Sequence, residues 1–163
     1  MIYFKETVIG KFGIEGKDGS ITKTVFENDL SKIGENCRDF TASSDVPPVV
    51  AEAFKQLEEY FDGTRKEFTL PLAPAGTPFM QKVWAALCEI PYGETATYKE
   101  IAETAGNPKA CRAVGMANNK NPIAVFIPCH RVIGSSGKLV GYAGGTDVKH
   151  KLLVLENKNF KEK

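Results

Sequence analysis

Apolar positions between Met1 and Phe26 fall in short alternating runs separated by Gly10, Gly13, Gly16 and Gly19. Alternation with period two sends successive side chains to opposite faces of a strand, and glycine admits tight turns, so the stretch predicts a small sheet. The pattern changes after Pro47-Pro48. Val50, Phe54, Leu57 and Phe61 recur every three or four positions, which predicts one amphipathic helix over 49–61, ended by Gly63. Pro71-Leu-Ala-Pro-Ala-Gly-Thr-Pro78 carries three prolines and a glycine in eight positions, a composition that suits a linker. A boundary there divides the chain into residues 1–72 and 77–163.

The second part opens with a helix from about Pro78 that carries Phe79, Val83, Trp84 and Leu87 toward a core and stops before Pro91-Tyr-Gly93. A short helix over 97–105 has Tyr98, Ile101 and Ala102 on one side, and Gly106-Asn107-Pro108 breaks it. Another helix begins near Lys109 and runs to Asn118, built of the small residues Ala110, Ala113, Gly115 and Ala117 with Arg112 among them. Helix, turn and small-residue helix make a helix-turn-helix arrangement whose second helix can approach a duplex closely; the same pattern also serves two helices that simply pack on each other. The apolar run Ile123 to Ile127 predicts a short strand into Cys129, and Val148, Leu152 and Leu155 at helical spacing predict a closing helix over 147–157. The whole reads as an α/β (α+β) fold: a small N-terminal antiparallel-sheet domain with one helix, then a mainly helical C-terminal domain with the helix-turn-helix.

With 163 residues and 42% hydrophobic content the chain has material for a real core. Lys and Arg total 21 against 20 Asp and Glu, so any attraction to nucleic acid has to be local rather than spread over the surface. Cys37, Cys88, Cys111 and Cys129 form no C-x-x-C pair, and neither a signal peptide nor a membrane span accompanies them, which predicts a cytoplasmic protein, or a nuclear one in a eukaryote. His130 and His150 are the only histidines, and without a short-spaced Cys/His cluster no metal site is expected.

Chemistry concentrates at Ile127-Pro128-Cys129-His130-Arg131-Val132. Pro128 restricts its neighbour to extended backbone, so Cys129 sits at a sharp change of direction. Adjacent side chains on extended backbone point apart, so contact between the thiol and His130 needs a turn or a bridging water. Arg131 has two readings, a fixed cation that lowers the thiol pKa or a buried donor fork that ties down the turn. The plain alternative for the whole string is an inert buried cysteine beside a satisfied core histidine. Gly134-Ser-Ser-Gly137 and Gly141-Tyr-Ala-Gly-Gly145 flank the site, but their spacing matches neither phosphate-binding glycine pattern. There is no G-x-S-x-G elbow, and Pro128-Cys129 lacks the second cysteine that a nucleobase deaminase needs.

The string Asn121-Pro-Ile-Ala-Val-Phe-Ile-Pro-Cys-His-Arg-Val-Ile-Gly134, with Gly141-Tyr-Ala-Gly-Gly145 behind it, resembles the active-site signature of the O6-alkylguanine-DNA alkyltransferases, also called methylated-DNA–protein-cysteine methyltransferases. The likeness runs from about Thr77 through Glu156 and includes Tyr92-Gly93-Glu94, Tyr98 and the stretch from Gly106 to Gly115. The residues before Pro71 resemble the family in layout only, as a structural domain without activity. The resemblance implies direct, irreversible and self-inactivating transfer of the alkyl group from O6-alkylguanine, and from O4-alkylthymine, to Cys129. His130 would take the thiol proton through a water, Glu156 would hold the imidazole, Asn121 would brace the turn before the active site, and Tyr98 would assist departure of guanine. It further implies a monomer that binds double-stranded DNA from the minor groove, flips the nucleotide out and fills the gap with Arg112. Ala110, Cys111, Ala113, Gly115, Thr97 and Tyr98 would lie against the duplex, and Tyr142, Val140, Ser135, Ser136 and Gly137 would line the pocket. No cofactor, metal or membrane is implied.

Two positions depart from the resemblance: Val140, where a small polar residue is common, and Cys111, where alanine is frequent. A competing function of a different class is a non-reactive binder of alkylated DNA that signals to another repair pathway, against which Cys129, His130 and Glu156 argue together.

Overall fold

The glycine-punctuated runs form β1 (Ile2–Thr7), β2 (Gly10–Lys17) and β3 (Ser20–Phe26), paired antiparallel in succession. The computed structural model describes residues 1–139 and 141–162. After the single turn α1 (Glu27–Leu30), the short β4 (Cys37–Asp39) adds a parallel edge to β1, giving the order β3-β2-β1-β4. No alternation marks so short a strand. The long helix, α2 (Pro48–Phe61), buries Val50, Phe54 and Leu57 as its spacing predicts, while Tyr60 rather than Phe61 completes the buried face. It packs closely on the sheet at Gly16, where a Cβ would lie 2.7 Å from Val49 Cγ1 and 2.8 Å from Val50 Cγ2. Absence of a side chain is what lets helix and strand approach there.

The proline-rich segment is not a free linker throughout. Ile21 donates its N–H to the Pro71 carbonyl at 2.8 Å, and Ala73 returns one to the Ile21 carbonyl at 2.8 Å, so Leu72 bridges the outer edge of β3. Proline is tolerated here because an edge position needs no second ladder. The chain divides into Met1–Ala75 and Gly76–Lys163.

In the second unit Thr77 caps α3 (Pro78–Cys88) by accepting from the Met80 N–H at 3.2 Å, with Pro78 in the first turn where its missing donor costs nothing. Val83, Trp84 and Leu87 are buried, and Phe79 is half-buried. The Trp84 indole donates to the Ala117 carbonyl at 2.9 Å, which ties α3 to α5 (Cys111–Asn119). Between them lie β5 (Ala96–Thr97) and α4 (Tyr98–Thr104), the latter opened by a reciprocal cap of Thr97 and Glu100. The second helix of the helix-turn-helix starts at Cys111 rather than Lys109, because Asn107 to Ala110 form a turn closed by the Ala110 N–H on the Asn107 carbonyl at 3.0 Å.

One expectation fails here. The run Ile123 to Ile127 is not a strand into Cys129 but a buried tight turn, closed by the Ile127 N–H on the Ile123 carbonyl at 2.9 Å. Val125 adopts φ 75° within it, a conformation that a β-branched residue takes only when its surroundings impose it. The strand, β6 (Val132–Ile133), follows the cysteine and pairs parallel with β5. The closing helix, α6 (Thr146–Glu156), buries Lys149, Leu152, Leu153 and Glu156, leaving Val148 and Leu155 half-buried. The helix forms where the apolar spacing predicts one, and an ion pair holds Glu156 on its inward face.

Candidate active site

Asn121 turns the chain out of α5 and into the site. Its side-chain amide donates to the Ile127 carbonyl at 2.9 Å, and its oxygen accepts from the Ile123 N–H at 3.0 Å. These bonds satisfy backbone groups that the tight turn removes from water, and so stabilise the strained loop. Cys129, His130 and Arg131 form one turn of 3-10 helix directly after it, and all three side chains are buried.

The imidazole and guanidinium converge on Glu156 from α6. His130 Nε2 lies 2.7 Å from Glu156 Oε2, and Arg131 grips the carboxylate with Nε at 2.8 Å from Oε1 and Nη2 at 3.0 Å from Oε2. Arg131 Nη1 also donates to the Ile90 carbonyl at 2.7 Å. Of the two readings of Arg131, the geometry selects the donor fork: its charge is spent on Glu156. The turn Pro91-Tyr92-Gly93 braces the end of α6, with the Tyr92 hydroxyl on the Leu155 carbonyl at 3.4 Å and a Cβ on Gly93 only 3.1 Å from the Glu156 carbonyl oxygen. At φ 83° and that distance, any side chain at position 93 would be strained and would press on the Glu156 carbonyl.

Electrostatics separates the roles these groups can play. Burial by itself would push the Glu156 carboxyl up, but hydrogen bonds and charge from His130 and Arg131 overcome it and hold it at about 2. Burial holds His130 below the usual imidazole range against the opposing pull of Glu156, so the ring is neutral at pH 7 and Arg131 supplies the lasting counter-charge. A carboxylate only accepts, so Nε2 carries the imidazole proton and Nδ1, which has no protein hydrogen bond, is the basic nitrogen. Burial likewise raises the Cys129 thiol, while the Asn121 and Tyr142 side chains and the charge of Lys149 pull it down.

Lys149 is the residue that the sequence pattern did not single out. It is fully buried on the same face of α6 as Glu156, seven positions before it, and burial lowers its pKa to about 8. The signal was available: once Glu156 points inward, residues 149, 152 and 153 must do so as well.

The other expected residues lie as follows. Tyr98, in the first turn of α4, is half-buried, and its hydroxyl is raised by burial first and then by the Cys129 charge, so it stays a donor at neutral pH. Arg112, Cys111 and Ala113 are exposed on α5, Ala110 precedes it half-buried, and Gly115 packs beside Tyr98, whose Cε1 lies 4.0 Å from where a Cβ would be. Thr97 spends its hydroxyl on capping α4. Ser135, Ser136 and Gly137 form a tight loop closed by the Gly137 N–H on the Gly134 carbonyl at 2.8 Å, with both serines exposed. Val140 falls outside the described residues.

Comparison with known proteins meets this geometry at both units. The model of the 6-O-methylguanine DNA methyltransferase DNA-binding domain matches residues 78–158, and that of the same family's ribonuclease-like domain matches residues 2–74. The chain belongs to the 6-O-methylguanine DNA methyltransferase family. A methylated-DNA–protein-cysteine methyltransferase of Bacillus subtilis is 46% identical over 97% of this chain and 96% of its own length. One from Methanosarcina barkeri is 64% identical over 68% of this chain and 70% of its own. The crystal structure of Mycobacterium tuberculosis OGT in complex with DNA matches with a TM-score of 0.84 and 42% identity, covering 96% of this chain and 92% of that one. Family membership makes this protein a DNA-binding, direct-reversal repair enzyme that moves an alkyl group from O6-alkylguanine to a protein cysteine, once per molecule.

Proposed function

We propose that Cys129 is the alkyl acceptor and that His130, Glu156, Asn121, Tyr98 and Lys149 prepare it. The observation that carries this reading is a buried thiol on the same turn as a neutral imidazole whose proton position is set by a pinned carboxylate. His130 Nδ1 takes the thiol proton through a water. The sulfur–carbon bond forms as the carbon–O6 bond breaks, the electron pair returns to guanine, and the Tyr98 hydroxyl donates toward the purine ring. The product is a thioether with no carbonyl for water to attack, so the acceptor is consumed. Peptide mass analysis after incubation with O6-methylguanine duplex DNA tests the reading: one methyl on the Cys129 peptide supports it, and binding without modification leaves a recognition protein only.

An O6-alkyl group faces the major groove, so a protein seated in the minor groove must rotate the nucleotide out, at about a few kcal/mol. Arg112, exposed on the helix that faces the DNA, fills the vacated position. Arg112→Ala is expected to slow transfer from duplex DNA by about 1 to 3 kcal/mol while sparing free O6-benzylguanine, which needs no extrusion. Tyr98→Phe is the complementary change and slows both substrates. Equal losses on both for Arg112→Ala would remove the base-replacement role. The enzyme acts as a monomer in a reducing cytoplasm, where Cys37, Cys88, Cys111 and Cys129 remain free thiols.

Lys149 contributes charge at the thiol. A buried ammonium favours the thiolate, so Lys149→Met is expected to slow transfer at pH 7 and shift its pH profile upward. It also costs stability: with a folded pKa of about 8 against 10.5, stability rises as pH climbs through that interval, by on the order of 3 kcal/mol. Lys149→Met should therefore raise Tm at pH 7 while lowering the rate, and a variant that loses both would assign Lys149 to packing alone.

A further inference from the structure

Met116 stands out on α5 once the buried side of that helix is assigned. Val114, Ala117 and Asn118 face the core, whereas Met116 is 59% exposed. Among the described residues only Met1, Val8 and Met116 are large apolar side chains left in water, and of these Met116 alone belongs to the C-terminal unit. It sits four positions after Arg112, so the two side chains are neighbours on one helical face, about 5 to 6 Å apart at Cβ. The stretch from Asn107 to Asn121 contains Lys109, Arg112 and Lys120 and no carboxylate. The face that presents this methionine is therefore cationic, and its electrostatic complement is a phosphate backbone.

We infer that Met116 is an apolar minor-groove contact, seated against the base step and sugars beside the position that Arg112 fills. This rests on the proposed approach of α5 to the minor groove. Arg112 and Met116 are separated by between one and two base steps at about 3.4 Å each, so both engage the same distorted segment of duplex. An unbranched, polarisable side chain is well matched to such a contact, because it conforms to a widened groove, buries apolar surface against unstacked bases, and reads no sequence. The contact stabilises the bent, extruded complex in preference to intact duplex.

Met116→Ala, Met116→Leu and Arg112→Ala, compared on duplex DNA and on free O6-benzylguanine, test the inference. Met116→Ala is expected to weaken binding to lesion-containing duplex on the order of fivefold, the effect of losing part of a methionine's burial, with the salt dependence of binding unchanged. Its reaction with the free base stays at the wild-type rate, since alanine is the better helix former and the position is exposed. Met116→Leu restores most of the affinity. Wild-type duplex affinity in Met116→Ala, alongside an impaired Arg112→Ala, would overturn the Met116 contact and leave the DNA-facing helix intact. If Arg112→Ala were unimpaired as well, the minor-groove reading itself would fall. A changed salt slope, or an equal loss on the free base, would also overturn the inference.

Discussion

Cys129→Ser is expected to abolish alkyl transfer while leaving affinity for duplex DNA largely unchanged. In the proposed mechanism the sulfur makes the new bond, and a serine hydroxyl in the same buried turn is far too weakly acidic to replace it. Binding, in the proposed reading, belongs to α5 and its flanking cations, which the substitution does not touch. Single-turnover incubation with labelled O6-methylguanine duplex, followed by separation of protein and DNA, measures the transfer directly. Cys129→Ala extends the test by removing the polar atom altogether. Full transfer by either variant would place the acceptor elsewhere, and Cys88 and Cys111, both exposed thiols, would be the next residues to examine.

Glu156→Gln is expected to cost both stability and rate. The carboxylate is almost completely buried and joins His130 to Arg131, so neutralising it leaves a guanidinium without its counter-charge and an imidazole without a fixed tautomer. Loss of one partner of such a pair destabilises by about 3 to 5 kcal/mol, and loss of general-base function slows transfer on the order of 100-fold. The pH dependence carries its own signature. Because the folded pKa of about 2 lies below the ordinary 4.5, the Glu156 contribution is fully present above the higher value and is lost as pH falls through the lower. Wild-type stability should therefore drop by on the order of 3 kcal/mol across that acidic interval, a component absent from Glu156→Gln. Urea midpoints measured as a function of pH check it, and identical acid profiles for the two proteins would remove Glu156 from the account. Rates measured well below Tm separate the chemical defect from unfolding.

Much of the fold was legible because it depends on local signals. The period of α2, the proline and threonine that open α3, and the breaker after α4 act through backbone geometry and a few neighbouring side chains. The error at Ile123 to Ile127 has a physical source: an apolar run states burial but not conformation, and here the two Asn121 hydrogen bonds and the flanking prolines outweigh the strand preference of Ile and Val. The inward face of α6 is likewise set by a distant partner. Leucine spacing alone places Val148 and Leu155 inward, whereas a partner 26 residues away in sequence, His130, draws Glu156 inside and carries Lys149 with it.

Sequence by itself determined which residue types were available for the chemistry: one cysteine after a proline, one adjacent histidine, and a glutamate near the end of the last helix. It also determined the helix-turn-helix with a carboxylate-free second helix, since charge and helical period are written locally. Tertiary structure alone decided that Arg131 clamps Glu156, that Lys149 shares the thiol's environment, and that Met116 is left outside while Val114, Ala117 and Asn118 of the same helix are buried. Those outcomes depend on contacts between distant segments and on the desolvation of charges, and neither quantity is a property of any short stretch of chain.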